Sequence, residues 1–251
     1  MSATYVYGIH AVTRRLQQSP RQCVELICVD QRNSRLLELI DLARNAGVEV
    51  RLEKRELLTQ LAGSSKHQGC LLESIETAPL MDFQQCLVGI GPDSLLLVLD
   101  GVQDPHNLGA CLRNADACGV DAVLIPRDRA VKVNATVRKV AAGGAESVAV
   151  IEVTNIARSL KELKQAGVWI YGTSDRASAS LYDHDYRGPI ALVMGGEGSG
   201  LRRLTMESCD HLIKLPMRGQ VESLNVSVAT GVLLFELNRQ IETRRLRRRD
   251  A

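Results

Sequence analysis

From residue 95 onward the chain repeats short, almost uninterrupted apolar runs, separated by intervals wide enough for a helix. The runs are Leu95–Asp100, Ala122–Pro126, Val148–Val153, Val168–Gly172, Ile190–Met194 and Leu212–Leu215. A half-buried strand alternates apolar and polar residues. An unbroken run is what a strand needs when both faces of a parallel sheet are covered. The intervals carry helical spacing. In Asn107–Cys118, Leu108, Cys111, Leu112 and Ala115 form one stripe, and Val133–Ala142, Asn155–Gln165 and Leu224–Gln240 read the same way. Parallel strands need such crossovers. The pattern predicts an α/β domain with a parallel sheet, whose ligands sit at the carboxyl ends of the strands.

The first 75 residues alternate on a smaller scale. Gly8–Gln18 carries Ile9, Val12 and Leu16 at helical spacing, and Val24–Val29 reads as a strand. Ser34–Asn45 reads as a helix on Leu36, Leu37, Ile40 and Ala43, closed by Ala46-Gly47. Val48–Leu52 alternates like a half-buried strand, Glu53–Leu61 reads as a helix and Gly69–Ile75 as a strand. Thr77-Ala78-Pro79, Gly89, Gly91 and Pro92 break any pattern, with a short helical piece at Phe83–Val88 between them. The expected organisation is a small α/β unit at 1–76, a linker at 77–93, a larger parallel-sheet domain at 94–243 and a basic tail at 244–251.

Composition removes several classes. Aromatics are 3% of the chain, with one Trp and two Phe, which disfavours binding single strands mainly by stacking bases. The net charge of +2 is no polycation; the excess is local, at Arg244, Arg245, Arg247, Arg248 and Arg249. The seven cysteines include no C-x-x-C pair, which argues against a disulfide framework and a zinc site and fits a reducing cytoplasm. Tyr5, His10 and Arg14 come too early for a signal peptide, and no run approaches the ~20 apolar residues that span a bilayer. The expectation is a cytoplasmic protein with no membrane contact.

Met194-Gly195-Gly196-Glu197-Gly198-Ser199-Gly200-Leu201 follows one apolar run directly. Such glycine density suits backbone that turns sharply or lies against a ligand. A flexible surface turn and the floor of a small-molecule site both fit. The spacing is G-x-G-x-G, late in the chain, which does not match the dinucleotide fingerprint G-x-G-x-x-G.

Three stretches stand together: Asn107-Leu108-Gly109-Ala110-Cys111-Leu112-Arg113-Asn114-Ala115, then Val193 to Leu201, then Ile213-Lys214-Leu215-Pro216-Met217 leading to Glu222-Ser223-Leu224-Asn225-Val226-Ser227-Val228-Ala229. In that order they resemble the three motifs of the SpoU (TrmH-like) RNA ribose methyltransferases. Tyr7-Gly8-Ile9-His10-Ala11-Val12 and His67-Gln68-Gly69 resemble that family's small RNA-binding domain. The resemblance covers nearly the whole chain. It is nearest to members that methylate a guanosine ribose in the peptidyl-transferase region of 23S rRNA. Members acting on transfer RNA, or conferring resistance through rRNA methylation, use similar catalytic domains.

The resemblance implies a SPOUT-class α/β fold: a C-terminal parallel-sheet domain with a deep trefoil knot, behind a small N-terminal α/β RNA-binding domain. It implies S-adenosyl-L-methionine as methyl donor, no metal, 23S rRNA as substrate and a homodimer with sites near its interface. Gly195, Leu215 and Leu224 match the family's cofactor contacts, and Thr173, Gly196 and Met217 would line the same slot. Without the family, Leu215 and Leu224 would read as core.

The candidate catalytic set is Arg113, Asn107, Glu197, Ser223 and Asn225. Arg113 falls off its helix's apolar stripe, so it is either solvated or functional. In the family the matching arginine is invoked in activating the ribose hydroxyl. A free guanidinium stays protonated, with a pKa above ~12, so clamping a phosphate or stabilising an alkoxide suits it better than acting as a base. Asn107 would cap its helix as well as match the site. Glu197 would pin the glycine loop, orient Arg113, contact RNA or accept a proton. Ser223 and Asn225 both stand where an N-cap belongs, before an apolar stripe at Leu224, Val228, Val232 and Phe235.

Lys132, Arg138 and Lys139 are candidate phosphate contacts. The Arg244–Arg249 tail reads as a disordered solvated end, with salt-sensitive RNA affinity as the alternative. His184 reads as a surface-loop residue, and Gly143–Ser147 as a turn bordering the RNA side. Two other readings remain open: a non-catalytic RNA-binding or ribosome-assembly protein on the same scaffold, and a nucleotide-binding oxidoreductase. The absence of G-x-G-x-x-G after the first strand disfavours the latter.

Overall fold

The computed structural model describes residues 3–18, 20–30, 33–75, 81–198 and 200–249. Thr77-Ala78-Pro79 of the expected linker and Ser199 of the glycine stretch lie outside the described residues.

The small unit comprises β1 (Ala3–Tyr7), α1 (Ile9–Gln18), β2 (Cys23–Val29), α2 (Ser34–Asn45), β3 (Glu49–Glu53), α3 (Arg55–Ala62) and β4 (Cys70–Ile75). Its sheet runs β1-β4-β2-β3, antiparallel except for the parallel β2–β3 pair. β1 carries no signal used in the sequence reading. It is the strand that puts Tyr7 and Gly8 at the start of α1. α3 begins two residues later than the spacing predicts, because Glu53 still pairs with Val29 in the sheet. Leu52 is exposed, so β3 is a solvated edge rather than a half-buried strand. The His67-Gln68-Gly69 turn serves the helix start: Gln68 Oε1 accepts the Ile9 N–H at 3.0 Å, while buried His67 meets Thr59 Oγ1 at 3.2 Å and accepts the Gly69 N–H at 3.1 Å.

Beyond α4 (Phe83–Val88) the larger unit follows: β5 (Leu95–Asp100), α5 (Pro105–Ala117), β6 (Ala122–Pro126), α6 (Ala135–Ala141), α7 (Gly144–Ser147), β7 (Ala149–Val153), α8 (Ile156–Gln165), β8 (Trp169–Thr173), β9 (Ala179–Ser180), β10 (Ile190–Gly195), α9 (Arg203–Glu207), β11 (His211–Lys214) and α10 (Val226–Arg249). Seven strands form one parallel sheet in the order β7-β6-β5-β10-β8-β11-β9. β5 shows why its run is unbroken. Leu95, Leu97 and Leu99 enter the core shared with α5 and α10, while Leu96 and Val98 enter the opposite core shared with α4 and α8.

Several expectations change. α10 continues to Arg249, so the basic tail is helical and not a disordered end. Arg244, Arg245 and Arg248 converge on Asp93, just ahead of β5, which anchors that end of the helix. The stripe Leu224, Val228, Val232 and Phe235 is exposed; the buried face of α10 is Thr230, Leu233, Leu234, Leu237 and Ile241. His184 is half-buried against the rings of Tyr171, Tyr186 and His211 instead of lying on an open loop. Gly144–Ser147 is a helical turn packed on α5. Arg138 is buried and paired with Glu146 at 3.1 Å, so it does not stand open to a phosphate as expected, whereas Lys132 stays exposed in a surface pair with Glu152 at 3.0 Å.

The two units meet at α5, α6 and α7. Arg14 from α1 makes two bonds to Asp116 of α5, at 2.6 and 2.7 Å, and Ser147 Oγ donates to the same carboxylate at 2.5 Å. Burial alone would raise the Asp116 carboxyl, but the Arg14 and Ser147 bonds hold it below its ordinary value.

Gly109 decides how closely α5 and α6 approach. A Cβ there would lie 2.7 Å from Val140 Cβ and 2.8 Å from the Val137 carbonyl oxygen. Helix propensity alone favours Gly109→Ala by about 1 kcal/mol, whereas overpacking costs about 1–3 kcal/mol. The substitution is therefore expected to lower the urea midpoint of unfolding. A raised midpoint would mean the helices separate freely.

Candidate functional site

The strands β5, β10, β8 and β11 are consecutive in the sheet, and their registers bring their carboxyl ends to one edge. Gly195 lies opposite Asp100, Val193 opposite Gly172, and Ile213 opposite Thr173. Thr173 Oγ1 donates to the Val193 carbonyl at 3.2 Å, and the Ser174 N–H donates to the Ile213 carbonyl at 3.0 Å.

The glycine loop folds back on itself. A Cβ at Gly195 would lie 2.2 Å from the carbonyl carbon of Gly200, and one at Gly196 would lie 2.6 Å from the carbonyl oxygen of Gly101. The Gly200 N–H donates to the Gly196 carbonyl at 3.1 Å. Asp100, buried at the end of β5, accepts the Arg202 N–H at 3.1 Å and faces its guanidinium at 3.4 Å. Among its described residues the segment is a turn packed closely on its own backbone. Its glycines are required first by the chain's own close packing, which leaves only peptide groups of Gly195 and Gly196 to meet a ligand.

Glu197 stands exposed at the tip of this turn and is held by Asn107, which donates to its Oε1 at 2.6 Å across 90 residues. The expectation that Asn107 caps its helix is not met. Asp104 is the N-cap, accepting the His106 N–H at 2.9 Å, with Pro105 in the first turn where a missing N–H costs nothing. Asn107 therefore sits inside the helix with its amide free for the site. Its Oδ1 accepts from Asn225 at 2.9 Å. Asn225 Oδ1 in turn accepts the Ser227 N–H at 2.9 Å, the Ser227 hydroxyl at 2.6 Å and the Val228 N–H at 3.4 Å. Asn225 is thus the cap of α10. Ser223, two residues earlier, is exposed and does not cap it.

Three candidate catalytic residues, Asn107, Glu197 and Asn225, form one hydrogen-bonded chain. Gly195, Gly196 and Thr173 adjoin it along the strand ends. Leu215 is half-buried against the core, Met217 is half-buried in the following loop, and Leu224 is exposed beside Asn225. Arg113 is exposed as its off-stripe position predicts, and no hydrogen bond or ion pair joins it to these residues among those described. It lies six residues along α5 from Asn107, roughly 9 Å further down the axis and a third of a turn round it.

Asn114, not singled out in the sequence, fastens α5 to α10 by donating to the Ser227 carbonyl at 2.8 Å. The signal was present: Asn107 and Asn114 are seven residues apart, two helical turns on one face. Asp104 and Arg202 were missed because a cap and a loop cation have no distinctive spacing, and Asp100 was read only as the end of its strand.

Chemically, the cluster presents a carboxylate fixed through one oxygen by a neutral amide, beside the positive end of α10. It contains no thiolate: burial pushes Cys111, the cysteine of α5 nearest to it, up to about 11. No group of three or more His, Cys, Asp or Glu side chains gathers with metal-holding geometry among the described residues.

Comparison with known proteins bears on this arrangement. Residues 94–235 match the SpoU rRNA methylase family, and residues 5–76 match the family described as RNA 2'-O ribose methyltransferase substrate binding. The chain is 52% identical to the 23S rRNA (guanosine-2'-O-)-methyltransferase RlmB of Ralstonia nicotianae over 93% of this chain and 94% of that protein. It is 47% identical to the protein of the same name from Salmonella typhimurium, over 94% and 98%. Among solved structures, an RNA 2'-O ribose methyltransferase superposes with a TM-score of 0.79 at 28% identity, covering 95% and 88%. The SpoU methyltransferase AviRb from Streptomyces viridochromogenes, in complex with AdoMet, shares the fold, with a TM-score of 0.79 at 20% identity over 96% and 91%.

The Asn107–Asn225 bond is open to a double-mutant cycle. Asn107→Ala and Asn225→Ala are expected to couple by about 0.5–1.5 kcal/mol in unfolding free energy. Strictly additive losses would show that the two side chains do not meet in solution.

Proposed function

This chain belongs to the SpoU rRNA methylase family, and on that premise we propose that it transfers a methyl group to the ribose 2′-hydroxyl of a guanosine in 23S ribosomal RNA. The observation that carries the reading is likeness to guanosine-2'-O-methyltransferases along nearly the whole chain, with a fixed carboxylate at the sheet's carboxyl edge. The peptidyl-transferase region is the location implied by the resemblance, and the deep trefoil knot is carried over with the family.

S-adenosyl-L-methionine, when bound, supplies an electrophilic sulfonium methyl. The edge fits such a group. Gly195 and Gly196 offer peptide groups, Leu215, Met217 and Leu224 offer apolar surface, and Thr173 adds a hydroxyl at the next strand end. Methyl transfer then needs an oriented hydroxyl and a destination for its proton. We assign the proton to the Glu197 carboxylate. Asn107 orients that carboxylate, and Asn225 orients Asn107 while capping α10. Ser223, exposed just ahead of Asn225, is read as an RNA or donor contact. Arg113 is the fixed cation for a phosphate or for the developing alkoxide.

A homodimer belongs to the same reading. The exposed stripe Leu224, Val228, Val232 and Phe235 runs down α10 from the site. An apolar stripe beside a functional edge is what pairing with a second copy would cover. Arg113, unbonded to the cluster within one chain, is read as reaching it when two chains pair. No helix among the described residues is long and apolar enough to cross a membrane, and we read the enzyme as cytoplasmic, where its substrate is made.

Arg113→Ala is expected to lower methyl transfer about 100-fold or more, in the range seen on removing an oxyanion-stabilising group, while donor binding by equilibrium dialysis stays near wild type. Unchanged turnover would remove Arg113 from the mechanism. Phe235→Glu is expected to convert a dimer to monomer in sedimentation equilibrium; a dimer unaffected by it assembles elsewhere. Labelling total RNA from a strain lacking the gene with tritiated donor should mark a single guanosine ribose of 23S rRNA. Label confined to transfer RNA would overturn the substrate.

A further inference from the structure

The carboxyl edge that carries the site does not stop at β5. Register sets the row: Gly195 of β10 lies beside Asp100 of β5, and Pro126 of β6 beside Val153 of β7. The β5–β6 pairing joins Leu96 to Ala122 and Val98 to Leu124, and carried on by two residues it sets Asp100 beside Pro126. Four strand ends therefore stand in line. Adjacent strands are about 4.8 Å apart, so the end of β6 lies roughly 10 Å from Gly195. The segment leaving it, Arg127-Asp128-Arg129-Ala130-Val131-Lys132, is bound to both neighbours. The Arg127 N–H donates to the Val153 carbonyl at 2.8 Å, and the Val131 N–H donates to the carbonyl of Val102, in the loop after β5, at 3.0 Å.

This segment carries three cations and one acid, all exposed. Lys132 is paired with Glu152. Arg127 and Arg129 have no hydrogen-bond or ion-pair partner for their guanidinium groups among the described residues, Asp128 between them included. Arg129 has a φ of 57°, in the left-handed region that glycine enters freely and a long side chain only at a cost. Glycine there would remove the strain and the guanidinium together. A strained residue beside a functional edge points to a use for its side chain. Arg127 also lines a concavity of about 300 Å³ with Glu152, Thr154, Asn155, Arg158 and Glu162. The acids of that hollow are matched, Glu152 by Lys132 and Glu162 by Arg158, each at 3.0 Å. Arg127 is the one lining charge left without a partner, so the hollow is net positive and suits an anion.

We propose that the carboxyl ends of β6 and β7 form a phosphate-binding rim, at which Arg127 and Arg129 each take one backbone phosphate of the RNA strand flanking the target ribose. The proposal rests on the RNA-methyltransferase reading and names a contact within it. The sheet edge then works as a track, with the reaction at β10 and β5 and the grip on the RNA backbone at β6 and β7.

The test uses the full chain with a 23S rRNA transcript, measuring affinity across a salt series. Arg127→Gln and Arg129→Gly should each weaken binding about 3- to 10-fold. Each should also lower the slope of log affinity against log salt by roughly 0.7–0.9, the loss of one phosphate contact. The double variant should show the product of the single losses, because the two arginines hold separate phosphates. Arg129→Gly should not lower the urea midpoint of unfolding, which separates a lost contact from a damaged fold. Arg127→Lys and Arg129→Lys, which keep the charge, should keep the wild-type slope. Wild-type affinity and slope in both charge-removing variants would overturn the rim, and weaker binding at an unchanged slope would overturn phosphate as its ligand. Donor binding is expected to be unchanged in every variant. A wild-type chain that binds the transcript with the stated slope changes yet methylates no ribose refutes the proposed reaction and keeps the rim. Methylation with wild-type slopes in every variant refutes the rim and keeps the reaction.

Discussion

The α-carbon of Gly196 lies against the carbonyl of Gly101 with no space for a side chain, and the rest of the site depends on that contact. It joins the loop after β10 to the loop after β5, backbone against backbone. Buried Asp100 reinforces the join by holding both the backbone and the guanidinium of Arg202 at the far end of the turn. A charge with so little water around it needs such partners to be tolerated. The turn can then present Glu197 at a definite place, where Asn107 takes hold of it. A looser turn would leave that carboxylate unplaced.

Two helices distribute this rigidity. α5 carries Asn107 at the site, Asn114 against α10, and Asp116 against the small unit, within little more than two turns. α10 starts at the same cluster through the Asn225 cap and ends near the amino end of β5, where arginines close on Asp93. Each end of α10 is thus tied to the sheet's core, while its outer stripe stays apolar and uncovered. A helix that is apolar on both faces has two surfaces to bury, and one chain supplies only one of them.

Much of the fold was legible because its signals are local. β5 and β6 begin and end where their apolar runs do, and α2 and α4 match their spacing. Arg113 was legible as an exposed residue from its angle off a stripe. Asn107 was legible as a site residue only through family resemblance, and its expected cap role went instead to Asp104. Side-chain capping competes between neighbours, and Pro105 decides in favour of the residue before it. The helical tail was misread because a run of arginines looks solvated in one dimension. Asp93 lies about 150 residues away, and nothing in the run announces it.

By itself the sequence determined most of the elements, the parallel pairing class of the larger sheet and the residue types at that sheet's carboxyl edge, because periodicity and strand-end position are properties of consecutive residues. Only the tertiary structure decided which of those residues touch. The Glu197–Asn107–Asn225 chain, the Arg14–Asp116 grip and the Lys139 ammonium over the Tyr7 ring all join segments far apart in the chain. Such contacts are set by how whole layers pack, and packing is a sum over distant partners that no local pattern encodes.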